Sequence, residues 1–132
     1  MSQENVEIAN QLVEAWNRGD IDAFLALFDL ECEVVFHPDV PEPGPFHGHD
    51  ELRRWIDGFL AAWEFYRADV VEVADKGDDV FAALHLVGRG TGSGIGIDET
   101  EGHVFTIREG KIVRWRNFKE REEALEAAGL SE

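Results

Sequence analysis

The chain has 132 residues, enough for one domain that buries a core without cross-links, and 44% of them are aliphatic or aromatic, which excludes disorder over most of its length. Acidic residues number 28 against 12 basic ones, a net charge of -16 that repels nucleic-acid phosphates and anionic lipid surfaces and argues for solubility rather than for either partner. The single Cys32 excludes an internal disulfide. With a polar, acidic start at Met1-Ser2-Gln3-Glu4 and no apolar run near the roughly 20 residues of a membrane span, the expectation is a cytoplasmic protein.

Ser2 is placed to cap a first helix with Ile8, Leu12, Ala15 and Trp16 on its apolar side and Gly19 as its stop. Asp20 caps a second helix in which Ile21, Phe24, Leu25 and Phe28 recur at helical spacing. Cys32 to His37 alternates as a strand. Pro38, Pro41, Pro43 and Pro45 then hold a loop, since proline blocks both helix and ladder, and this loop reads as a rim or lid beside the strand. Gly48-His49-Asp50-Glu51 opens a third helix, with acids in its first turn where the dipole favours them. Leu52, Trp55, Ile56, Phe59, Leu60 and Trp63 give it a full apolar stripe.

From Phe65 to Val73 the period changes to two, and Lys76-Gly77-Asp78-Asp79 signals a turn. Val80 to Val87 is apolar on both faces and reads as a central strand. Glycines at 88, 90, 92, 94 and 96 lack dinucleotide-binding spacing and are expected to bend long strands or admit a close neighbour. A hairpin follows, His103 to Ile107 and Lys111 to Phe118 about Arg108-Glu109-Gly110, read as a three-residue loop that pairs Ile107 with Lys111. That register puts His103, Phe105, Ile107, Val113, Trp115 and Asn117 on one face, the wall of a pocket. Val104, Thr106, Arg114 and Arg116 take the other face. Glu120 to Ala128 forms a closing helix ended by Gly129. Helices followed by a run of strands indicate one α+β domain over 1–132, helices on one face of a curved antiparallel sheet.

Ala15-Trp16-Asn17-Arg18-Gly19-Asp20, Gly44-Pro45-Phe46-His47-Gly48, His103 through Ile112, and Glu122-Glu123-Ala124-Leu125-Glu126 resemble the SnoaL-like group of the nuclear transport factor 2-like superfamily. The resemblance implies a cone: a strongly bent antiparallel β-sheet wrapped around three helices from the N-terminal half, a short C-terminal helix, and an apolar pocket at one end. Members of that superfamily include ketosteroid isomerases, polyketide cyclases, epoxide hydrolases, dehydratases and non-catalytic binding modules. Cyclase-type members are similar at His103 but carry an Asp where Asn117 stands, and a carboxamide has no titratable proton.

His103 is the candidate for acid/base work, against the alternative of a core histidine bonded to a carbonyl. Asn117 is either a polar contact for a substrate oxygen or a structural hydrogen-bonding group. Trp16, Phe36, Trp55, Phe59, Trp63, Phe105 and Trp115 are candidates to line an apolar ligand pocket, or plain core. His37, His47 and His49, near Asp39 and Asp50, straddle the proline loop without metal-ligand spacing and are read as solvated. No metal or cofactor is therefore expected. His85, Arg89, Arg114 and Arg116, with Phe81 and Val87, are assigned to the outer sheet face, where the superfamily commonly dimerises, so a homodimer is expected. Paired catalytic carboxylates and a nucleophile elbow are not evident, and Cys32 reads as a small buried residue.

Two functions follow. One is a cofactor-independent isomerase, cyclase or dehydratase acting on a small apolar carbonyl compound, with His103 moving the proton and Asn117 orienting the oxygen. The other is a non-catalytic domain that binds a small ligand or a partner. What separates them is whether another carboxylate, or Tyr66, converges on His103 in space.

Overall fold

The computed structural model describes residues 2–92 and 94–130. The chain runs α1 (Ser2–Arg18), α2 (Ile21–Ala26), β1 (Phe28–Val35), β2 (Phe46–His47), α3 (Gly48–Ala61), β3 (Trp63–Lys76), β4 (Asp79–Gly90), β5 (Gly96–Arg108), β6 (Lys111–Phe118) and α4 (Arg121–Ala127). The cap expected of the Ser2 side chain lies outside what is described. The six strands form one sheet in the order β2-β1-β6-β5-β4-β3. Each neighbouring pair is antiparallel except β1 and β6, which run parallel, so the sheet is mixed where a wholly antiparallel one was expected. No hairpin joins those two strands, so nothing in the chain forces them to oppose. Architecture and class are otherwise the α+β cone. No described helix is long and apolar enough to cross a membrane.

Two aromatic residues change element. Phe28 fits the helical spacing after Phe24, yet α2 closes at Ala26 and Phe28 opens β1 opposite Ile112, so the strand starts earlier than Cys32. Trp63 continues the stripe of α3 in sequence but opens β3 instead, after a cap at Ala62. Periodicity alone does not say where an apolar run leaves the helix.

The hairpin turn also differs. Glu109 (φ 52) and Gly110 (φ 78) are both left-handed, so the loop has two residues of the type I′ kind and Arg108 faces Lys111. Ile107 then opposes Ile112, and the register shifts before Thr106 meets Arg114. The bulge falls at Val113, which turns Ile112 inward in its place. Beyond it, Phe105 faces Trp115 and His103 faces Asn117, and both pairs share the inner face.

Side chains pack on both sides of the sheet. Phe24, Phe28, Leu52, Ile56, Phe105 and Ile107 bury the inner face beneath the first three helices. On the outer face, Phe81, Ala83 and Val104 are covered by Ala124 of α4 and by Ala128, which caps that helix. Phe81 is therefore inaccessible (0% exposed) and offers nothing to a second copy, contrary to its expected place in a dimer face. Gly102 permits the outer contact, because a Cβ there would lie 2.4 Å from that of Ala124. Gly88 does the same on the inner side, where a Cβ would lie 2.8 Å from the Tyr66 ring and 3.2 Å from that of Trp63.

The C-terminal end of α1 is tied to β3 at the edge of the sheet. The Trp16 indole N–H donates to the Tyr66 carbonyl (3.0 Å). The Asn17 amide both donates to the Ala68 carbonyl (2.7 Å) and accepts from its N–H (3.0 Å), as a neighbouring strand would. These bonds fix the Trp16 ring above the inner face.

Candidate functional site

A cavity of about 120 Å³ lies between α1, α3 and the inner face of β3 to β6. That is an order of magnitude above the roughly 10–15 Å³ that admits one water. Trp16, Phe36, Trp55, Phe59, Phe105 and Trp115 line it, as the sequence suggested. Trp63 does not. It packs against Phe59 (ring centroids 5.9 Å) and Tyr66 (5.0 Å) beyond the wall, because its strand begins past the cavity. The rings touch in series: Phe36 to Trp55 at 4.6 Å, Trp55 to Phe59 at 5.0 Å, Phe59 to Tyr66 at 4.8 Å. Val40 of the proline loop also reaches the cavity, so that loop forms part of its rim.

The polar end is built on β5 and β6. Glu101, His103 and Asn117 all line the cavity and are 9%, 4% and 8% exposed. The Trp115 indole N–H donates to His103 Nδ1 (3.0 Å). That nitrogen must then be the unprotonated one, which places the ring proton of a neutral imidazole on Nε2. His103 Nε2 lies 3.2 Å from Glu101 Oε1 and donates to it. Asn117 Nδ2 donates to the same oxygen at 3.2 Å, while Asn117 Oδ1 accepts from the His37 backbone N–H (2.9 Å). Two donors thus converge on one carboxylate oxygen.

Burial pushes the Glu101 carboxyl up. The hydrogen bond from His103, the pull of His103 and His37, and the Asn117 bond outweigh it, and the net position is below the ordinary carboxyl value. Glu101 is ionised at neutral pH. Tyr66, which also lines the cavity, is pushed far up by burial and then by the negative charges of Glu101 and Glu99, so its phenol keeps its proton.

Glu101 is the central group that the sequence reading missed. It stands two residues before His103 and so on the same face of a strand, but Asp98-Glu99-Thr100-Glu101 reads as a charged run at a strand end. His37 is a correction. Rather than solvated, its side chain is 15% exposed, with Nε2 3.7 Å from Glu101 Oε2 and Nδ1 buried without a hydrogen-bond partner among the described residues. His49 bonds the Phe28 carbonyl (2.9 Å), and His47 lies near Glu33 on the surface. Among the described residues no three His, Cys, Asp or Glu side chains are grouped to hold a metal ion.

A bent sheet closed by helices over an aromatic cavity with an acid–imidazole pair at its end defines the class of small cone-shaped pocket proteins. Residues 9–115 match the SnoaL-like domain, and the chain belongs to that family. No curated protein matches it in sequence. Among solved structures it is similar to an NTF2-like protein of Burkholderia pseudomallei (19% identity, 97% of this chain and 98% of that one, TM-score 0.82). It is also similar to a SnoaL-like protein of Jannaschia named as a polyketide cyclase (20%, 98% and 94%, TM-score 0.79). A Sinorhizobium meliloti protein likewise named as a polyketide cyclase shares 27% identity over 84% of this chain and 93% of that one (TM-score 0.68).

Proposed function

We propose that this protein catalyses proton transfer on a small, largely apolar carbonyl compound without a cofactor, in an isomerisation, cyclisation or dehydration. The observation that carries the reading is the ionised Glu101 carboxylate, joined to His103 at 3.2 Å at the end of an aromatic cavity. Cyclase names among proteins of the same fold support it.

Both nitrogens of His103 are engaged, one accepting from Trp115 and one donating to Glu101. The proton-accepting role expected of His103 therefore passes to Glu101, whose Oε2 has His37 Nε2 at 3.7 Å and, among the described residues, no donor within hydrogen-bond distance. Glu101 removes the proton from the carbon beside the carbonyl, and the electron pair of that C–H bond moves onto the carbonyl oxygen to form an enolate. The protonated Tyr66 phenol is the donor available to that oxygen. The carboxyl, now neutral, returns its proton to another carbon or to a departing hydroxyl. His103 and Asn117 act through the carboxylate, holding its plane and keeping it ionised. Apolar walls keep water away, which strengthens each of these contacts.

The test is deuterium wash-in from heavy water into one- and two-ring β,γ-unsaturated ketones and β-diketones, followed by proton NMR. The protein accelerates exchange at the carbon beside the carbonyl, and Glu101→Gln lowers that rate by about 10²- to 10⁴-fold. Exchange no faster with the native protein than with Glu101→Gln, while the same compounds still bind, would leave the ligand-binding reading.

A further inference from the structure

Among the described residues the cavity is lined by one carboxylate and by no lysine or arginine, and we infer from this that its ligand carries a positively charged nitrogen: a protonated amine or quaternary ammonium on a small apolar body. The inference rests on reading this cavity as the binding site and adds the class of molecule that enters it.

Consider what faces Glu101. Among the described residues no lysine or arginine lines the cavity. His103 meets it through a hydrogen bond from Nε2, while its Nδ1 accepts from the Trp115 indole N–H. Asn117 and Tyr66 are neutral. His37 reaches only to 3.7 Å with Nε2, stands outside the cavity lining, and has its Nδ1 buried without a hydrogen-bond partner among the described residues. Glu101 is left as a buried carboxylate held by hydrogen bonds to one oxygen, with no lysine or arginine of the lining among the described residues to pair with it, so a cation entering the cavity meets an open carboxylate oxygen.

The walls suit the same ligand. Trp16, Trp55, Phe59 and Tyr66 pack as a chain of rings, with Phe59 5.8 Å from Trp16, 5.0 Å from Trp55 and 4.8 Å from Tyr66. Aromatic faces attract a desolvated ammonium through their quadrupoles, and the Glu101 carboxylate lines the same cavity at its polar end. The net charge of -16 draws cations toward the protein and repels anions before any contact is made. A positive nitrogen near a carbonyl also acidifies the adjacent C–H bond, so the charge that is bound would assist the proton transfer proposed above.

The experiment compares benzylammonium, benzyl alcohol and benzoate, which share a ring and differ in charge, by tryptophan fluorescence and calorimetry at neutral pH and physiological salt. The native protein binds benzylammonium about tenfold or more tighter than benzyl alcohol, and benzoate most weakly. Glu101→Gln keeps the shape and the hydrogen bonds accepted from His103 and Asn117, and it reduces the preference to near parity. Its melting temperature and its residual benzyl alcohol binding report whether the cavity is intact. Equal or tighter binding of the alcohol to the native protein overturns the inference, as does binding of none of the three. A preference for the amine that survives in Glu101→Gln belongs to the acidic surface and overturns it too. Loss of deuterium wash-in with the charge preference intact would remove the proposed reaction alone. Wash-in that depends on Glu101 without a charge preference would remove only this inference.

Discussion

The two faces of β5 make opposite use of consecutive residues. Gly102, Val104 and Thr106 point outward, and Gly102 and Val104 lie under α4, with Gly102 bare so that Ala124 can seat against the backbone. Glu101, His103 and Phe105 point inward and line a cavity. One side of the strand is filled to contact; the other is left open around a charge. Because side chains alternate, a single stretch of six residues can secure the fold and hold the reactive groups without either task constraining the other.

That contrast can be broken most severely from the outer side. Phe81→Ala removes a fully buried ring beneath α4 and should cost about 3–5 kcal/mol in denaturant unfolding. By contrast Phe59→Ala, on a half-buried wall with space beside it, should cost less than half as much; equal losses would mean that the cavity wall is as tightly filled as the back of the sheet. Gly102→Ala forces a Cβ to 2.4 Å from that of Ala124 and should destabilise by about 1–3 kcal/mol while leaving inner-face ligand binding within error.

Changes on the inner face should be smaller and should depend on pH. Asn117→Asp replaces the donor 3.2 Å from Glu101 Oε1 by a second carboxylate, so like charges meet and one proton is retained. Its cost of about 1–3 kcal/mol at neutral pH should shrink on acidification, as protonation relieves the repulsion. Glu101→Gln should show the smallest stability change. The folded-state value of Glu101 lies below the ordinary 4.5, so its contribution to stability is fully present above 4.5 and is lost as pH falls through the folded value. The gap between native protein and Glu101→Gln should close over that acidic window; a gap that widens there would mean that the carboxyl is favoured in its neutral form.

How much of this was legible in the sequence differs by level. Element order apart from the two-residue β2, most of the helix stripes, and the shared inner face of His103, Phe105, Trp115 and Asn117 follow from period and turn spacing, whereas pairing Ile107 with Lys111 would set Phe105 against Val113 and His103 against Trp115 rather than against Trp115 and Asn117. The turn itself was misjudged by one residue, because Arg108-Glu109-Gly110 is compatible with two loop geometries and only Glu109 in the left-handed region selects one. The local bulge at Val113 adds a second one-residue shift, which returns Trp115 and Asn117 to the expected face opposite partners two residues from the expected ones, and so the pocket wall keeps its residues. Glu101 was hidden for another reason. Its charge made it look solvent-facing, and what keeps it inside is a set of bonds to His103 and Asn117, the latter sixteen positions along the chain. Local pattern reports which face a side chain takes; it does not report which polar groups will be satisfied there. His37 shows the same limit, its backbone N–H donating to Asn117 Oδ1 eighty positions along the chain.

Asn17 carries one further consequence. An uncovered border strand of fourteen residues is a template on which another copy could add a ladder and begin a fibril. By occupying both main-chain groups of Ala68, with Trp16 holding the oxygen of Tyr66, the first helix interrupts that template near its middle. The pair that sets one wall of the cavity thereby also guards the molecule against growing onto itself.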